Sequence, residues 1–406
     1  MSVSIDPAGA VELLAAGPDF VRDPYPVYAE LRARGPVHRV RTPEGEETWL
    51  VVGHDACRAA FADPRLSRDW RKADEVGRII STDADDPALA HMLLADPPDH
   101  TRLRRLVSRE FTARRIELLA PRIEQITDEL LTTMLAAEDR RADLVEALAL
   151  PLPMIVISEL LGIPELDRTA FRGWSGQIIA RTSREEQGRA YLAMNRYLVD
   201  LIAAKRAQPG EDLLSGMIHA VDEGGDRLSG SELIGMCVLL LVAGHETTVN
   251  LIGNGMRALF AHPDQLALLR GDLDELLPGA IEEMLRYDGP VETSTPRLAL
   301  EDIELAGTVV PAGATVRIAI ADADRDPARF PDADRFDITR DARGHIAFGH
   351  GIHYCLGAPL ARLEGRIAIR ALLERCPELS LTADVATLPW LPRLLVRGVR
   401  ELPVRW

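Results

Sequence analysis

Cys355 lies where a glycine-rich turn meets the start of a helical segment. The surrounding residues read Phe348-Gly-His-Gly-Ile-His-Tyr-Cys-Leu-Gly357. Glycines allow a tight turn and the close approach of a flat partner. A cysteine beside helix N-terminal amides is favoured as a thiolate, and such a thiolate can be the axial ligand of a haem iron. The segment therefore indicates chemistry at the Cys355 sulfur.

Two other interpretations of Cys355 stay open on this segment alone. A single cysteine is more often a small buried hydrophobic side chain than a ligand. Zinc is the other alternative, because His350 and His353 carry ligand-capable side chains close to Cys355. Other parts of the sequence have to decide between them.

A second polar motif lies inside a long apolar segment. Ser229-x-x-Glu232 is a capping-box pattern, and the helix that it opens can continue to His262. The first half of this helix is apolar on every side, which is typical of a helix through the centre of a protein. Its middle reads Ala243-Gly-His-Glu-Thr-Thr248.

The run 243–248 puts a carboxylate and two hydroxyl groups where burial is costly without partners. One interpretation is a polar helix face at an interface. The other is a groove beside a cofactor, in which Thr247 and Glu246 handle protons. Reductive cleavage of O2 consumes two protons, and a hydroxyl plus a carboxylate that exchanges with water can deliver them in sequence.

Both motifs resemble those of the cytochrome P450 family. The pattern Phe348-x-x-Gly351-x-x-x-Cys355-x-Gly357 resembles its haem-binding signature. Ala243-Gly244-x-Glu246-Thr247 resembles the oxygen-activation motif of its central helix, although many members have aspartate where this chain has Glu246.

The resemblance implies haem b as the cofactor, with Cys355 as the iron ligand. Thr247 is then the proton donor and Glu246 the proton relay. Further cofactor-binding residues that the resemblance implies are Ala243, Gly244, Phe348, Gly349 and Gly357.

Glu283 and Arg286 lie three residues apart, so one helix face carries both. Most such pairs are surface salt bridges of little value. With Arg335 further along the chain, they resemble the Glu–Arg–Arg network of the family. We interpret this network as structural support under the haem loop, since a planar guanidinium can bind a carboxylate and backbone carbonyls together.

Four side chains match the positions at which the family binds the two haem propionates. His100 and Arg104 lie four apart on one helix face, after a pair of prolines. Arg297 and His353 are the other two. Any one of them alone could be an ordinary exposed charge.

Composition excludes some classes of protein. The 406 residues are 47% hydrophobic and carry a net charge of −16, which argues against a general nucleic-acid binder. Met1–Phe20 does not have the pattern of a secretory signal, and the longest apolar run, Leu233–Gly244, is too short to span a bilayer. We therefore expect a cytoplasmic protein with neither nucleic acid nor membrane as a partner.

Hydrophobic periodicity predicts a mainly helical chain with a small β region. A β-hairpin is expected over Val37–Val40 and Thr48–Val52, and further β structure over 300–320. Helices are predicted over 24–35, 114–140, 153–161, 165–181, 186–206, 211–222, 229–262 and 360–373. The resemblance implies one triangular domain over 1–406 with a buried haem, preceded by an N-terminal extension at 1–20.

The implied reaction puts one oxygen atom of O2 into a mid-sized, mostly hydrophobic organic substrate, by hydroxylation or epoxidation, as in secondary metabolism. No second cysteine cluster is present, so electrons are expected from a separate ferredoxin with its ferredoxin reductase. A docking face for it could use the arginines Arg102, Arg105, Arg109, Arg114 and Arg115.

The resemblance also suggests which residues line the substrate pocket: Leu239, Val242, Ala243, Val291, Thr293, Ser294 and Leu391. Two alternative functions remain open. One is a peroxygenase or haem-thiolate isomerase on the same fold, which the presence of both Glu246 and Thr247 argues against. The other is a non-enzymatic haem sensor, which would need neither residue.

Overall fold

Apolar side chains recur at helical spacing in many segments of the chain. The structure, a computed structural model, has helices over most of these segments. The structure describes all residues except 1–3, 6–8, 14–17, 43–44, 78–85, 110, 168–169, 172, 175–176, 178–183, 222–224 and 393.

The helices are numbered in chain order over the described residues. They are α1 (Pro18–Arg22), α2 (Tyr25–Arg34), α3 (His54–Ala62), α4 (Asp99–Ser108), α5 (Ala113–Glu117), α6 (Ala120–Leu135), α7 (Pro151–Leu160), α8 (Arg184–Ala207), α9 (Leu213–His219), α10 (Gly230–Ala261), α11 (Pro263–Gly271), α12 (Leu273–Asp288), α13 (Ile320–Asp324) and α14 (Ala358–Arg375).

Short strands form three small sheets. The strands are β1 (Ser4–Ile5), β2 (Val11–Glu12), β3 (Val37–Arg41), β4 (Glu47–Val51), β5 (Leu66–Ser67), β6 (Arg141–Asp143), β7 (Arg297–Ala299), β8 (Ile303–Leu305), β9 (Thr308–Val310), β10 (Thr315–Ile318), β11 (Ser380–Leu381) and β12 (Pro403–Arg405). The largest sheet has the order β1-β2-β3-β4-β10-β7-β5, the second β11-β12-β6, and β8 pairs with β9. This confirms the mainly helical fold with a small β portion.

Residues within 1–20 contribute to the largest sheet. β2 pairs in parallel with β3, which places Val11 opposite Val40. Val11, Leu13 and Phe20 are buried in a cluster with side chains of α2 and β4. This part of the predicted N-terminal extension therefore packs on the body of the protein.

The central helix α10 begins and packs as predicted. Ser229 and Glu232 form a capping box, in which the Ser229 hydroxyl accepts from the Glu232 amide at 3.1 Å. By length and apolar composition α10 could cross a membrane, but half of its most apolar window is buried in the structure. It packs against α7, α12 and α14, which makes it the core of the fold.

Most predicted helices are present, with shifted ends. The single helix predicted over 114–140 is wrong, because α5 and α6 are separate helices. Thr112 caps α5, and Pro121, which has no amide hydrogen to donate, lies in the first turn of α6. The predicted helix 165–181 and the hairpin turn at 42–45 lie partly outside the described residues.

Glu364 on α14 makes the stability of the folded protein depend on pH. Its side chain is about 1% exposed, and within the described residues its Oε2 atom has no hydrogen-bond partner. Burial raises the pKa of this carboxyl to about 8. The folded protein therefore keeps Glu364 protonated in neutral solution, whereas the unfolded chain ionises it.

We expect Glu364→Gln to flatten the dependence of stability on pH. The folded-state pKa lies above the unfolded value, so stability is full below the unfolded pKa and is lost as pH rises towards 8. Between pH 6 and 8 the wild type should lose about 2 kcal/mol through this group. Urea unfolding at both pH values measures the loss, with the exposed Glu374→Gln on the same helix as control. Equal slopes for wild type and Glu364→Gln would contradict this.

Candidate active site

The segment around Cys355 is a tight loop that ends at the first turn of α14. The Cys355 amide donates to the Phe348 carbonyl at 2.9 Å, which closes the loop. Gly349 and Gly351 both have φ of +75°, a conformation that other residues rarely adopt. A Cβ at Gly351 would also lie 3.3 Å from the Phe61 carbonyl oxygen. The glycines are therefore required by the backbone itself.

Cys355 differs from the three other cysteines. It is exposed, whereas Cys57, Cys237 and Cys376 are buried, and all four are free thiols. Burial within the loop raises the pKa of the Cys355 thiol, while the Gly357 and Ala358 amides and the Arg104 guanidinium act to lower it. The net effect is a raised pKa, and the donors and the cation are the groups that would stabilise a thiolate bound to a metal. The interpretation of Cys355 as a buried hydrophobic residue is wrong.

Zinc finds no support at this loop. Among the described residues, no group of three or more His, Cys, Asp or Glu side chains is placed to hold a metal ion. His353 instead lies against His100, with ring centroids 4.4 Å apart.

The middle of α10 presents a gap in an otherwise buried helix surface. Ala243 is exposed and its neighbours Val242 and Gly244 are half-buried, although Leu241 and His245 are buried. The Thr247 hydroxyl donates to the Ala243 carbonyl at 2.8 Å, the back-bond expected of a helical threonine. Glu246 is half-buried. A small side chain, a hydroxyl and a carboxylate therefore lie within one turn of the central helix.

Basic side chains with unpaired nitrogen atoms lie next to the Cys355 loop. His100 and Arg297 are each about 3% exposed, and both ring nitrogens of His100 and the Nε atom of Arg297 have no hydrogen-bond partner in the described part of the chain. Burial lowers the pKa of Arg297 to about 10 and, together with His100 and nearby arginines, lowers that of His353 to about 3. Burial also lowers the pKa of Arg104, the fourth predicted residue.

Sequence reasoning missed Arg68 as a member of this cluster. It is buried just after β5, beside the strand that begins with Arg297, and burial lowers its pKa to about 9. Two carboxylates act on Arg297, but Asp96 is already paired with Lys72 at 2.8 Å and Asp63 with Arg65 at 2.7 Å. The cluster therefore lacks negative charge, and its orphaned donors fit an anionic ligand such as the two propionates of haem.

The Glu283–Arg286 pair is confirmed as a buried ion pair, but the third arginine is different from the predicted one. Arg286 donates to both Glu283 oxygens, at 2.7 and 2.8 Å. The Arg335 side chain is 65% exposed and points away to Asp337. Arg340 takes its place, with Nε 3.4 Å from a Glu283 oxygen. The prediction of Arg335 is therefore wrong as a side-chain role, although its carbonyl accepts from Arg286 at 3.2 Å.

The network connects directly to the loop before Cys355. Arg286 also donates to the Asp324 and Ala333 carbonyls, both at 2.9 Å. The preceding residue of α12, Glu282, accepts two hydrogen bonds from Arg362, whose guanidinium lies 4.5 Å from the Phe348 ring centroid. Glu282 thereby ties α12 to the start of α14 and to the loop before Cys355.

The predicted substrate contacts are placed unevenly. Ala243 is exposed, and Val242, Val291 and Leu391 are partly buried, whereas Leu239 is about 9% exposed within the core. The prediction that Thr293 contacts substrate is wrong, because its side chain is fully buried and its hydroxyl donates to the Leu394 carbonyl at 2.9 Å. Ser294 is also committed to the backbone, since its hydroxyl accepts from the Ile318 amide at 3.1 Å.

The five predicted docking arginines differ in their partners. Arg102 pairs with Glu232 at the start of α10, and Arg109 donates to the Val221 carbonyl at 2.6 Å. Arg105, Arg114 and Arg115 are exposed, and the helix α5 that carries the last two packs against α14. We take these three as candidates for a surface beside the Cys355 loop.

The model of the protein family described as Cytochrome P450 matches residues 194–387 of this chain. The chain is 58% identical over 396 residues to the cytochrome P450 monooxygenase PikC of Streptomyces venezuelae, covering 98% of this chain and 94% of that protein. It is 42% identical over 382 residues to the mycinamicin IV hydroxylase/epoxidase of Micromonospora griseorubida, covering 93% and 94%.

The fold agrees with these matches. The solved structure of PksS, a cytochrome P450 of the bacillaene polyketide synthase of Bacillus subtilis 168, has a TM-score of 0.89 at 40% identity and covers 96% of this chain and 98% of that one. The likeness extends over nearly the whole chain. The chain therefore belongs to the cytochrome P450 family, and it is a monooxygenase whose cofactor is haem.

Proposed function

We propose that this monooxygenase hydroxylates or epoxidises a mid-sized, mostly hydrophobic secondary metabolite, with a polyketide as the first candidate class. Electrons come from a ferredoxin and its reductase, and the enzyme is a single domain over 1–406 that works in the cytoplasm. One structural observation supports haem chemistry most strongly, namely the buried His100, Arg297 and Arg68 nitrogen atoms that have no hydrogen-bond partner in the described residues, next to the exposed residue Cys355. The polyketide class rests on the printed names of relatives such as PksS.

The side chains divide into those that hold haem and those that serve the reaction. Cys355 would bind the haem iron as a thiolate, and His100, Arg104, Arg297 and His353 would hold the propionates. When bound, haem activates O2 with two electrons, so that one oxygen atom enters the substrate and the other leaves as water. The small side chain of Ala243 leaves room on the α10 side, and Gly349 allows the loop to approach closely.

Thr247 and Glu246 manage protons in this proposal. The Thr247 hydroxyl is held by the Ala243 carbonyl, so its oxygen keeps a fixed position on the groove side of α10. To donate its proton the hydroxyl would turn away from the Ala243 carbonyl, and water could then return a proton to it. Glu246, half-buried on the preceding position, exchanges protons with solvent and passes them inward.

A binding screen tests the substrate class. A substrate that displaces water from the haem iron changes the visible spectrum of the resting enzyme. We expect macrolactones and other polyketides to give this change at micromolar concentration, and fatty acids and small aromatic compounds of similar hydrophobicity to bind more weakly. A preference for fatty acids over every polyketide tested would contradict the proposed class.

The electron partner should dock beside the Cys355 loop. Ile352 and Tyr354 flank Cys355 and are 50% and 41% exposed, which provides an apolar centre. Exposed Arg105, Arg114 and Arg115 supply positive charge on an otherwise acidic protein. Long-range attraction between opposite charges mainly raises the rate of encounter.

We expect the double variant Arg105→Glu, Arg114→Glu to slow reduction by an acidic ferredoxin at low salt by roughly tenfold or more. Reduction by dithionite should not change, because it needs no docking. Salt should bring the wild type towards the variant, since exposed charges are screened over about 10 Å at 0.1 M. The control is Arg196→Glu, an exposed arginine of α8. Equal ferredoxin-dependent rates for wild type and double variant would rule out this surface.

A further inference from the structure

Arg68 is a buried arginine whose guanidinium is fixed by backbone carbonyls. It is about 2% exposed. Its Nε atom donates to the Leu93 carbonyl at 3.0 Å, and its Nη1 atom donates to the Thr295 carbonyl at 2.9 Å. The Arg68 amide donates to Asp96 at 3.0 Å. These bonds leave the side chain little freedom between the loop before α4 and the turn before β7.

The remaining nitrogen of Arg68, Nη2, is buried and has no hydrogen-bond partner within the described residues. Leaving a guanidinium nitrogen buried and unpaired is costly, which makes this atom the natural donor to an anion. The charges around it are mostly of the same sign, because Arg297 and Arg317 both act to lower the pKa of Arg68. Asp96 acts to raise the pKa of Arg68, but its carboxylate already accepts hydrogen bonds from Lys72 and Ser67.

The sheet places Arg68 with the residues assigned to haem. β5 pairs with β7, which puts Ser67 opposite Leu298 and brings Arg68 to the same sheet edge as Arg297. Arg297 Nη1 donates back to the Leu66 carbonyl at 3.3 Å. Arg68 and Arg297 both lie close enough to His353, two positions before Cys355, for their charges to lower its pKa. Arg68 thus joins the four basic side chains that the sequence predicted for this site, namely His100, Arg104, Arg297 and His353.

Charge balance gives Arg68 a specific task. The unpaired Nη2 atom of Arg68 lies in the same buried site as the unpaired nitrogens of His100 and Arg297, so two propionates bound there would meet three arginines rather than Arg104 and Arg297 alone. We propose that Arg68 is a third arginine at the haem propionates, and that its charge helps to set the reduction potential of the iron and to retain the cofactor. The proposal rests on the haem site described above.

The expected direction of the potential follows from electrostatics. Reduction adds one electron to the haem, and a nearby fixed positive charge stabilises the more negative, reduced form. Because Arg68 is buried, water screens its charge poorly. Removal of the charge should therefore lower the potential. It should also accelerate haem loss, because a propionate loses a buried charged donor.

Arg68→Gln, Arg68→Lys and the control Arg65→Gln test this in the substrate-free holoenzyme. Arg65 is 43% exposed and paired with Asp63, three residues before Arg68. The readouts are the midpoint potential by spectroelectrochemistry and the rate of haem transfer to apomyoglobin. We expect Arg68→Gln to release haem about tenfold faster and to lower the potential. A tenfold change in the relative stability of the two oxidation states corresponds to about 59 mV.

The lysine variant separates charge from hydrogen bonding. Arg68→Lys keeps the positive charge but cannot bind two carbonyls and an anion together. Its potential should stay near the wild type, while Arg65→Gln should change neither readout. Arg68→Met, of similar length, replaces the glutamine variant if that variant does not fold.

Wild-type potential and haem release in the neutral variants, with lowered thermal stability alone, would overturn the proposal. Arg68 would then serve only to connect the Leu93 loop to the Thr295 turn. Failure of the haem site itself would look different, since the wild type would then lack the spectrum of a thiolate-bound haem.

Discussion

Thr247→Ala is expected to bind haem and substrate normally but to waste most of its electrons. The Thr247 hydroxyl is the group held at the exposed face of α10, and alanine removes it without adding bulk. A positioned proton donor contributes on the order of 10²–10⁴-fold to a step that needs it. Without it, partly reduced oxygen should leave as hydrogen peroxide before its O–O bond is cleaved.

The measurement compares product and hydrogen peroxide with NAD(P)H consumed. We expect product per NAD(P)H to fall roughly tenfold or more in Thr247→Ala, with a matching rise in hydrogen peroxide. Thr247→Ser should recover much of the coupling because it restores the hydroxyl. The matched control is Thr248→Val, since Thr248 is buried on the next position and bonds to the Gly244 carbonyl. Unchanged coupling in Thr247→Ala would contradict its assignment as proton donor.

The local sequence predicted the parts of the site that depend on short segments. Glycines at 349 and 351 and the capping box at Ser229 are dictated by backbone geometry within a few residues, and the structure has both. The apolar first half of α10 likewise predicted burial, because a helix that is apolar all round has no face for water.

The sequence was less informative where distant segments meet. Arg335 and Arg340 both follow Pro331 closely, and only the folded turn shows that Arg340 points to Glu283 while Arg335 faces solvent. Thr293 was a plausible pocket residue until its hydroxyl was found bound to the Leu394 carbonyl, about a hundred positions away. Arg68 carries no motif at all, and its role depends on the pairing of β5 with β7.

The helix predicted over 114–140 is divided for a local reason. The predicted range includes Pro121, which lies in the first turn of α6. A proline favours the first turn of a helix and rarely its interior. Recognition of that position would have separated α5 from α6 in advance.

Cys355→Ala should abolish the defining spectrum of the enzyme, because every assignment in the active site depends on a sulfur ligand at this position. A thiolate donates electron density to the iron, and this shifts the absorption band of the reduced carbon-monoxide complex to the red. Alanine leaves the loop backbone free to form but provides no ligand. Haem in the variant, if retained through the propionate contacts, should therefore lack the red-shifted band.

The most direct test is the reduced carbon-monoxide spectrum of the purified wild type beside Cys355→Ala. The control is Cys376→Ala, which removes a buried free thiol at the end of the same helix α14. Far-ultraviolet circular dichroism checks that all three proteins are folded. We predict the red-shifted band in the wild type and in Cys376→Ala, and its complete loss in Cys355→Ala. Survival of the band in Cys355→Ala, or a folded wild type that carries zinc and no haem, would contradict the account.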